Sequence, residues 1–157
     1  MRRFAILVPV LLMTAAADIE PRPRLVIVVH QSNPVDDLSR GQVRKMLLGQ
    51  VRYWPDQTRL TLVVRDAASP AFHAMLTSVL RMTEAEYHRQ WMSVEFRGET
   101  APPLKVLNSA ESACRFVTYV PGAVALVESE ALAGASMPVK VVRIDGKLPD
   151  DPGYNMQ

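Results

Sequence analysis

The stretch VVRDAASPAFHAML, residues 63–76, decides the expected fold. It passes from β-branched residues through small turn residues into apolar residues at helical spacing. Ser69 suits the N-cap of a helix, and Pro70 suits the first helical position, where its missing N–H would have no partner in any case. The stretch therefore predicts a strand, a tight turn and a capped helix over residues 70–80.

Apolar runs like the one at residues 60–64 recur along the chain and alternate with helix-like patterns. The run at residues 25–29 is continuous, and the others resemble it in being short and mostly β-branched or aliphatic, which favours strands buried on both faces. The predicted strands are residues 25–29, 60–64, 104–107, 123–127 and 139–144. Strands that alternate with helices predict an α/β fold, a three-layer sheet with helices on both faces, in which ligands bind beyond the carboxyl ends of strands.

Two capping boxes mark further helices. Ser39 is followed three residues later by Gln42, and Thr83 by Glu86, a pattern in which each side chain bonds the other residue's backbone N–H. Gly49 suits the end of the first of these helices. The inner face of the second helix is predicted to carry Tyr87, Trp91 and Val94.

The first residues predict the compartment and the domain limits. Arg2 and Arg3 precede an apolar run that ends at Met13, and residues 15–17 are alanine, which is typical of a secretory signal peptide over residues 1–17. A retained membrane anchor is the alternative, but the run falls short of the roughly 20 residues that a span needs. We expect a periplasmic protein with one domain over residues 18–147 and a flexible tail over residues 148–157, with the core ending at Ile144.

Charge and cysteine content exclude several classes of partner. The formal net charge of the whole chain is +2, and loss of Arg2 and Arg3 with the signal brings it to about zero. No cluster of basic residues follows, so no nucleic-acid partner is expected. Cys114 is the only cysteine, which rules out an internal disulfide, and its apolar neighbours predict a buried thiol.

The sequence contains no arrangement of residues typical of an enzyme. The three histidines, His30, His73 and His88, fall on separate predicted elements, without the spacing of a metal site. No G-x-S-x-G segment surrounds any serine. We therefore expect no catalytic residue, no metal and no cofactor.

Three segments between residues 33 and 128 carry a resemblance to a known family. The first has Leu48 and Gly49 at a helix end, followed by a W-x-D segment at Trp54 and Asp56. The second is the opening stretch, and the third is PGAVAL, residues 121–126. In this order they resemble the phosphate-binding periplasmic proteins of ABC transporters. The resemblance implies the type II periplasmic-binding-protein fold, and it covers mainly one of that family's two lobes.

The turn departs from the family's phosphate loop, which reads R-S-D-G-S-G-T-T or close to it. Here residues 65–72 read RDAASPAF. Ala67 replaces an acid that accepts a proton from phosphate, Pro70 replaces a glycine N–H donor, and Ala71 and Phe72 replace two hydroxyl residues. A dehydrated oxyanion needs several convergent donors, and each missing charge-assisted bond costs about 1.5 to 3 kcal/mol.

The resemblance implies an anion site in this turn, formed by two side chains and by the backbone N–H groups after Pro70. The candidate anion-binding residues are Arg65, Ser69, Ala71 and Phe72. Two structural interpretations remain open: Arg65 forms an ion pair with Asp66 or Glu128, and Ser69 is only a helix cap.

Two functions follow from these observations. The first is a solute-binding-like protein with weak or lost phosphate affinity, which takes phosphate or another small oxyanion and works with an ABC permease or another envelope protein. The second is a ligand-free interaction module that docks to an envelope or sensor partner. Exposure of Tyr53, Trp54 and Met92 would favour the second, because exposed apolar patches mark contacts.

Overall fold

Six strands form one mixed sheet in the computed structural model, which describes residues 22–97, 101–134 and 136–156. In chain order they are β1 (Leu25–His30), β2 (Asp37–Leu38), β3 (Thr61–Arg65), β4 (Leu104–Leu107), β5 (Ala123–Glu128) and β6 (Val139–Ile144). In space the order is β2-β6-β1-β5-β3-β4. Strand β3 is parallel to β4 and β5, whereas β1 is antiparallel to β5 and β6. The predicted signal segment, residues 1–17, lies outside the described residues.

The five predicted strands are confirmed, each to within one residue at its ends. Strand β2 was not predicted, because two residues are too few to show a period. Burial on both faces holds for β1, β3 and β5. It is wrong for β4, whose Lys105 and Val106 are exposed because this strand lies at the edge of the sheet. It is also wrong for β6, where Arg143 is exposed.

Four α-helices lie in the described part of the chain: α1 (Arg40–Leu47), α2 (Pro70–Ala74), α3 (Glu84–Phe96) and α4 (Ala110–Tyr119). Both predicted capping boxes form, at the starts of α1 and α3. Gly49 follows α1 with a φ of 72°, a left-handed conformation that glycine adopts without steric cost. Helix α4 was not predicted. Ser109 caps it by accepting a hydrogen bond from the backbone N–H of Ser112.

Helix α2 continues as a π-helical segment, Met75–Leu80, so the predicted helix has the expected extent but a wider second half. Its last carbonyls lie beyond the reach of intrahelical donors. Arg40 Nη2 donates to Ser78 O at 3.3 Å, and Arg44 Nη1 donates to Val79 O at 3.3 Å. Helix α1 therefore caps the end of the π-helical segment.

The sheet is covered on both faces, as predicted. Leu25, Ile27 and Val29 of β1 belong to the core formed with α1, α2 and α3. Val26 and Val28 point the other way and pack with α4. This alternation follows from the two-residue period of a strand, and it confirms the three-layer α/β architecture.

Cys114 lies in the α4 layer and is buried, as predicted. Burial, with a smaller effect from the charge of Glu128, raises the pKa of its thiol, which keeps it protonated and unreactive. None of the described helices is long and apolar enough to cross a membrane.

The expected end of the core at Ile144 is wrong. Tyr154 and Met156 are buried in the same core as β1, and Met156 is 0% exposed. Leu25 N donates to Met156 O at 3.0 Å, and Tyr154 Oη donates to Leu25 O at 2.9 Å. The predicted flexible tail therefore packs against the start of β1. Most residues of this segment are polar, proline or glycine, so its composition did not indicate that Tyr154 and Met156 would be buried.

Candidate functional site

The carboxyl ends of three parallel strands meet at one edge of the sheet. Strands β3, β4 and β5 end there at Arg65, Leu107 and Glu128. The turn before α2 follows β3, and the turn before α4 follows β4. This edge is where ligands of open α/β sheets bind, so the structure places the candidate turn in the expected position.

Ser69 closes the turn between β3 and α2. Its Oγ accepts a hydrogen bond from Phe72 N at 3.1 Å, and the same hydroxyl donates to Asp66 O at 2.8 Å. The backbone N–H of Asp66 in turn donates to Leu107 O at 3.1 Å. The interpretation of Ser69 as a helix cap is confirmed, and its hydroxyl proton is directed to a carbonyl of the protein.

Arg65 forms an ion pair, and the partner is Glu128 rather than Asp66. Nη1 of Arg65 lies 2.6 Å from Oε2 of Glu128, and Nη2 donates to Asn108 O at 3.3 Å. The side chains of Arg65 and Glu128 are only 11% and 17% exposed. The guanidinium thus bridges the ends of all three parallel strands.

Ala71 and Phe72 are both buried, so their side chains contact core rather than solvent. The ring of Phe72 packs edge-on against Tyr87, with centroids 5.8 Å apart. The backbone N–H of Phe72 is bonded to Ser69. These two residues have only backbone groups to offer an anion, and one of those groups already serves the cap.

The start of β1 brings a second arginine to the same edge. The residue pair Leu25 and Glu128 is in register, and Ser129 N donates to Arg24 O at 2.8 Å. Arg24 Nη1 lies 3.5 Å from a carboxylate oxygen of Asp150. The Nε atoms of Arg24 and Arg65 are buried without a hydrogen-bond partner among the described residues.

The sequence analysis did not name Asn108 or Arg24 as site residues and named Glu128 only as a possible partner of Arg65. Glu128 is the first polar residue after the apolar run at residues 123–127, and Asn108 directly follows the predicted strand at residues 104–107, so the sequence indicates that both lie at strand ends. Arg24 precedes β1 and reaches this edge only because β1 runs antiparallel to β5.

Tyr154 lies near Arg24. Burial raises the pKa of its hydroxyl to about 12, against an opposing effect of the Arg24 charge. Tyr154 therefore stays neutral at pH 7 and can donate a hydrogen bond.

Of the three residues expected to form an exposed contact face, two are exposed and one is buried. Tyr53 is 53% exposed and Met92 is 49% exposed. Trp54 is buried, and its indole Nε1 donates to Gly122 O at 2.9 Å. Tyr53 also lines a groove of about 820 Å³ between β2, α1 and the segment that follows α1, which shares no lining residue with the Arg65 turn.

No group of three or more histidine, cysteine or carboxylate side chains with the geometry of a metal site occurs within the described residues. His30 and His88 make local contacts with Ser32 and Glu84. His73 is exposed on α2.

Neither the family models nor the curated proteins contain a match to this sequence. Solved structures do match it. An ABC-type phosphate transport receptor from Vibrio cholerae superimposes with a TM-score of 0.62 at 21% identity, over 81% of this chain and 48% of that one. A putative phosphate ABC transporter substrate-binding protein with bound phosphate, from Clostridium perfringens, gives 0.63 at 17% identity, over 81% and 47%. The fold is that of the phosphate receptors of ABC transporters.

A phosphate-binding protein from Stenotrophomonas maltophilia shares the same phosphate-receptor fold, with a TM-score of 0.59 at 15% identity, over 82% of this chain and 40% of that one. The chain spans about half the length of these receptors or less. It corresponds to a single lobe of the type II periplasmic-binding-protein fold, as the resemblance implied.

Proposed function

We propose that this protein is an exported, solute-binding-like protein with the phosphate-receptor fold and with weak or lost affinity for phosphate. The fold supports a solute-binding origin. The observation that supports weak affinity is the ion pair between Arg65 and Glu128, in which Nη1 and Oε2 lie 2.6 Å apart. The one cationic side chain of the turn is already neutralised by a carboxylate.

The other donors of the turn support the same conclusion. Ser69 directs its hydroxyl proton to Asp66 O, and Phe72 directs its N–H to Ser69. Pro70 has no N–H to give. An oxyanion in this turn keeps most of its water shell, because few protein donors are available to replace it.

Titration calorimetry with phosphate tests this function directly. We expect a dissociation constant weaker than about 0.1 mM, which corresponds to roughly 5.5 kcal/mol of binding free energy. The matched control is Arg65→Ala, which removes the only cationic side chain within residues 65–72. A micromolar constant in the wild type that Arg65→Ala abolishes would contradict the proposal, because it would show a working phosphate receptor.

The same proposal places the protein in the periplasm, where it meets an ABC permease or another envelope protein. Export is tested by the mass of the chain recovered from the envelope fraction. We expect a shortened chain that begins near Asp18, because residues 1–17 have the charged, apolar and small-residue regions of a signal peptide. An intact chain in the cytoplasm would overturn the assignment.

A ligand-free interaction module is the second candidate function. It is favoured by the neutralised Arg65 and by the exposed ring of Tyr53 beside its groove. The genes that neighbour this one discriminate between the two functions. An ATPase and a permease support solute transport, whereas an outer-membrane protein or a sensor kinase supports the interaction module.

A further inference from the structure

Each of the two terminal nitrogens of Arg65 makes one hydrogen bond to an acceptor of the protein. Nη1 is bonded to Glu128 and Nη2 to Asn108 O. A carboxylate and a phosphate oxygen accept from a guanidinium in the same planar geometry. Glu128 therefore takes the position on Arg65 that an oxyanion would take.

The backbone holds this carboxylate in place. Glu128 is the last residue of β5, where it pairs with Leu25 of β1. On its other side β5 runs parallel to β3 in a fixed register, with Val63 opposite Ala125. Because the strands that carry both charges are hydrogen-bonded to each other, the carboxylate meets the guanidinium without a change in the backbone.

Local charge also opposes an entering anion. The side chain of Glu128 is 17% exposed and that of Arg65 is 11% exposed, so water screens the carboxylate poorly. A phosphate that approaches Arg65 must either displace Glu128 or lie beside its negative charge. The buried Nε of Arg65 has no hydrogen-bond partner among the described residues. It could therefore donate to an oxyanion if the side chains of the site rearranged.

We infer that Glu128 is an intramolecular competitor that occupies Arg65 and sets the low oxyanion affinity of this turn. The inference rests on the proposed function, since it names the residue that keeps phosphate affinity low. Removal of the charge at Glu128 leaves a mostly buried guanidinium with an amide for a partner, and an oxyanion then supplies the missing negative charge.

The test compares phosphate and sulfate titrations of the purified wild type with those of Glu128→Gln, which keeps the size and removes the charge. We expect at least a tenfold tighter dissociation constant in Glu128→Gln. The matched control is Glu130→Gln, which removes an exposed charge two residues further on and is expected to change the constant less than twofold. The double variant Arg65→Gln/Glu128→Gln is expected to lose the gain.

Circular dichroism establishes that each variant is folded. If Glu128→Gln fails to fold, Glu128→Asp serves in its place, because it withdraws the carboxylate by one methylene, and a smaller gain of the same sign is expected. The inference is overturned if the folded variant binds phosphate no more tightly than the wild type, if Glu130→Gln gives an equal gain, or if the gain survives loss of Arg65. A micromolar constant in the wild type instead contradicts the proposed weak affinity, whichever way Glu128→Gln changes it.

Discussion

Gly122→Ala is expected to lower the free energy of unfolding by about 4 kcal/mol. A Cβ at Gly122 would lie 1.9 Å from Arg59 O and 3.2 Å from Thr58 Cγ2, so the two backbone segments must separate. Gly122 O accepts hydrogen bonds from Trp54 Nε1 at 2.9 Å and from Thr61 N at 3.0 Å. Overpacking costs about 1–3 kcal/mol and each weakened buried bond about 1 kcal/mol more.

Thermal unfolding followed by circular dichroism measures this effect. The midpoint is expected to fall by on the order of 10 °C or more. The matched control is Gly41→Ala in the first turn of α1, where the new Cβ would lie 3.8 Å from Ser39 Oγ. Alanine favours a helix over glycine by up to about 1 kcal/mol, so the control midpoint should stay or rise. Equal midpoints for both variants would show that the contact at Gly122 is not tight.

Ending the chain after Gly153 is expected to cost about 5 kcal/mol or more. The truncation removes the fully buried Met156 and the buried Tyr154. It also removes both hydrogen bonds that these residues make to the backbone of Leu25. Truncation of a buried methionine side chain alone costs about 2–5 kcal/mol, and the total approaches the stability of a domain of this size, about 5–15 kcal/mol.

Urea unfolding followed by tryptophan fluorescence measures the loss, since Trp54 and Trp91 are both buried in the core. We expect the truncated chain to unfold at a much lower urea concentration or to lack a cooperative transition. Met156→Leu is the control, because a volume-conserving change costs less than about 1.5 kcal/mol. An unchanged midpoint after truncation would restore the interpretation of these residues as a loose tail.

Much of the fold was predictable because it depends on local patterns. The runs that became β1, β3 and β5 are continuous and apolar, and the capping boxes at Ser39 and Thr83 are short-range devices. Helix α4 was not predicted although its signals are also local, since Ser109 suits an N-cap and the buried residues Ala110, Ala113, Cys114 and Val117 lie at helical spacing. The contribution of Met156 escaped prediction because one apolar residue in a polar segment shows no period at all.

The candidate site likewise has one feature that local sequence predicted and one that only the tertiary structure decided. Ser69 was identified as an N-cap from its place before Pro70, and the structure confirms it. The sequence did not decide whether Arg65 pairs with Asp66, its neighbour in the chain, or with Glu128, which is 63 residues away. Only the parallel pairing of β3 and β5 places Glu128 beside the guanidinium.

The sequence by itself determined five of the six strands and the helices at residues 40–47, 70–80 and 84–96, because caps, turns and apolar periods act over a few residues and are visible in a short window. It also determined which donors the turn at residues 65–72 lacks. The tertiary structure decided what the remaining donors do. Strand order brings Glu128 to Arg65, and packing of the C-terminal segment brings Tyr154 and Met156 to Leu25. Contacts between residues distant in sequence depend on how the whole domain is assembled rather than on any local pattern.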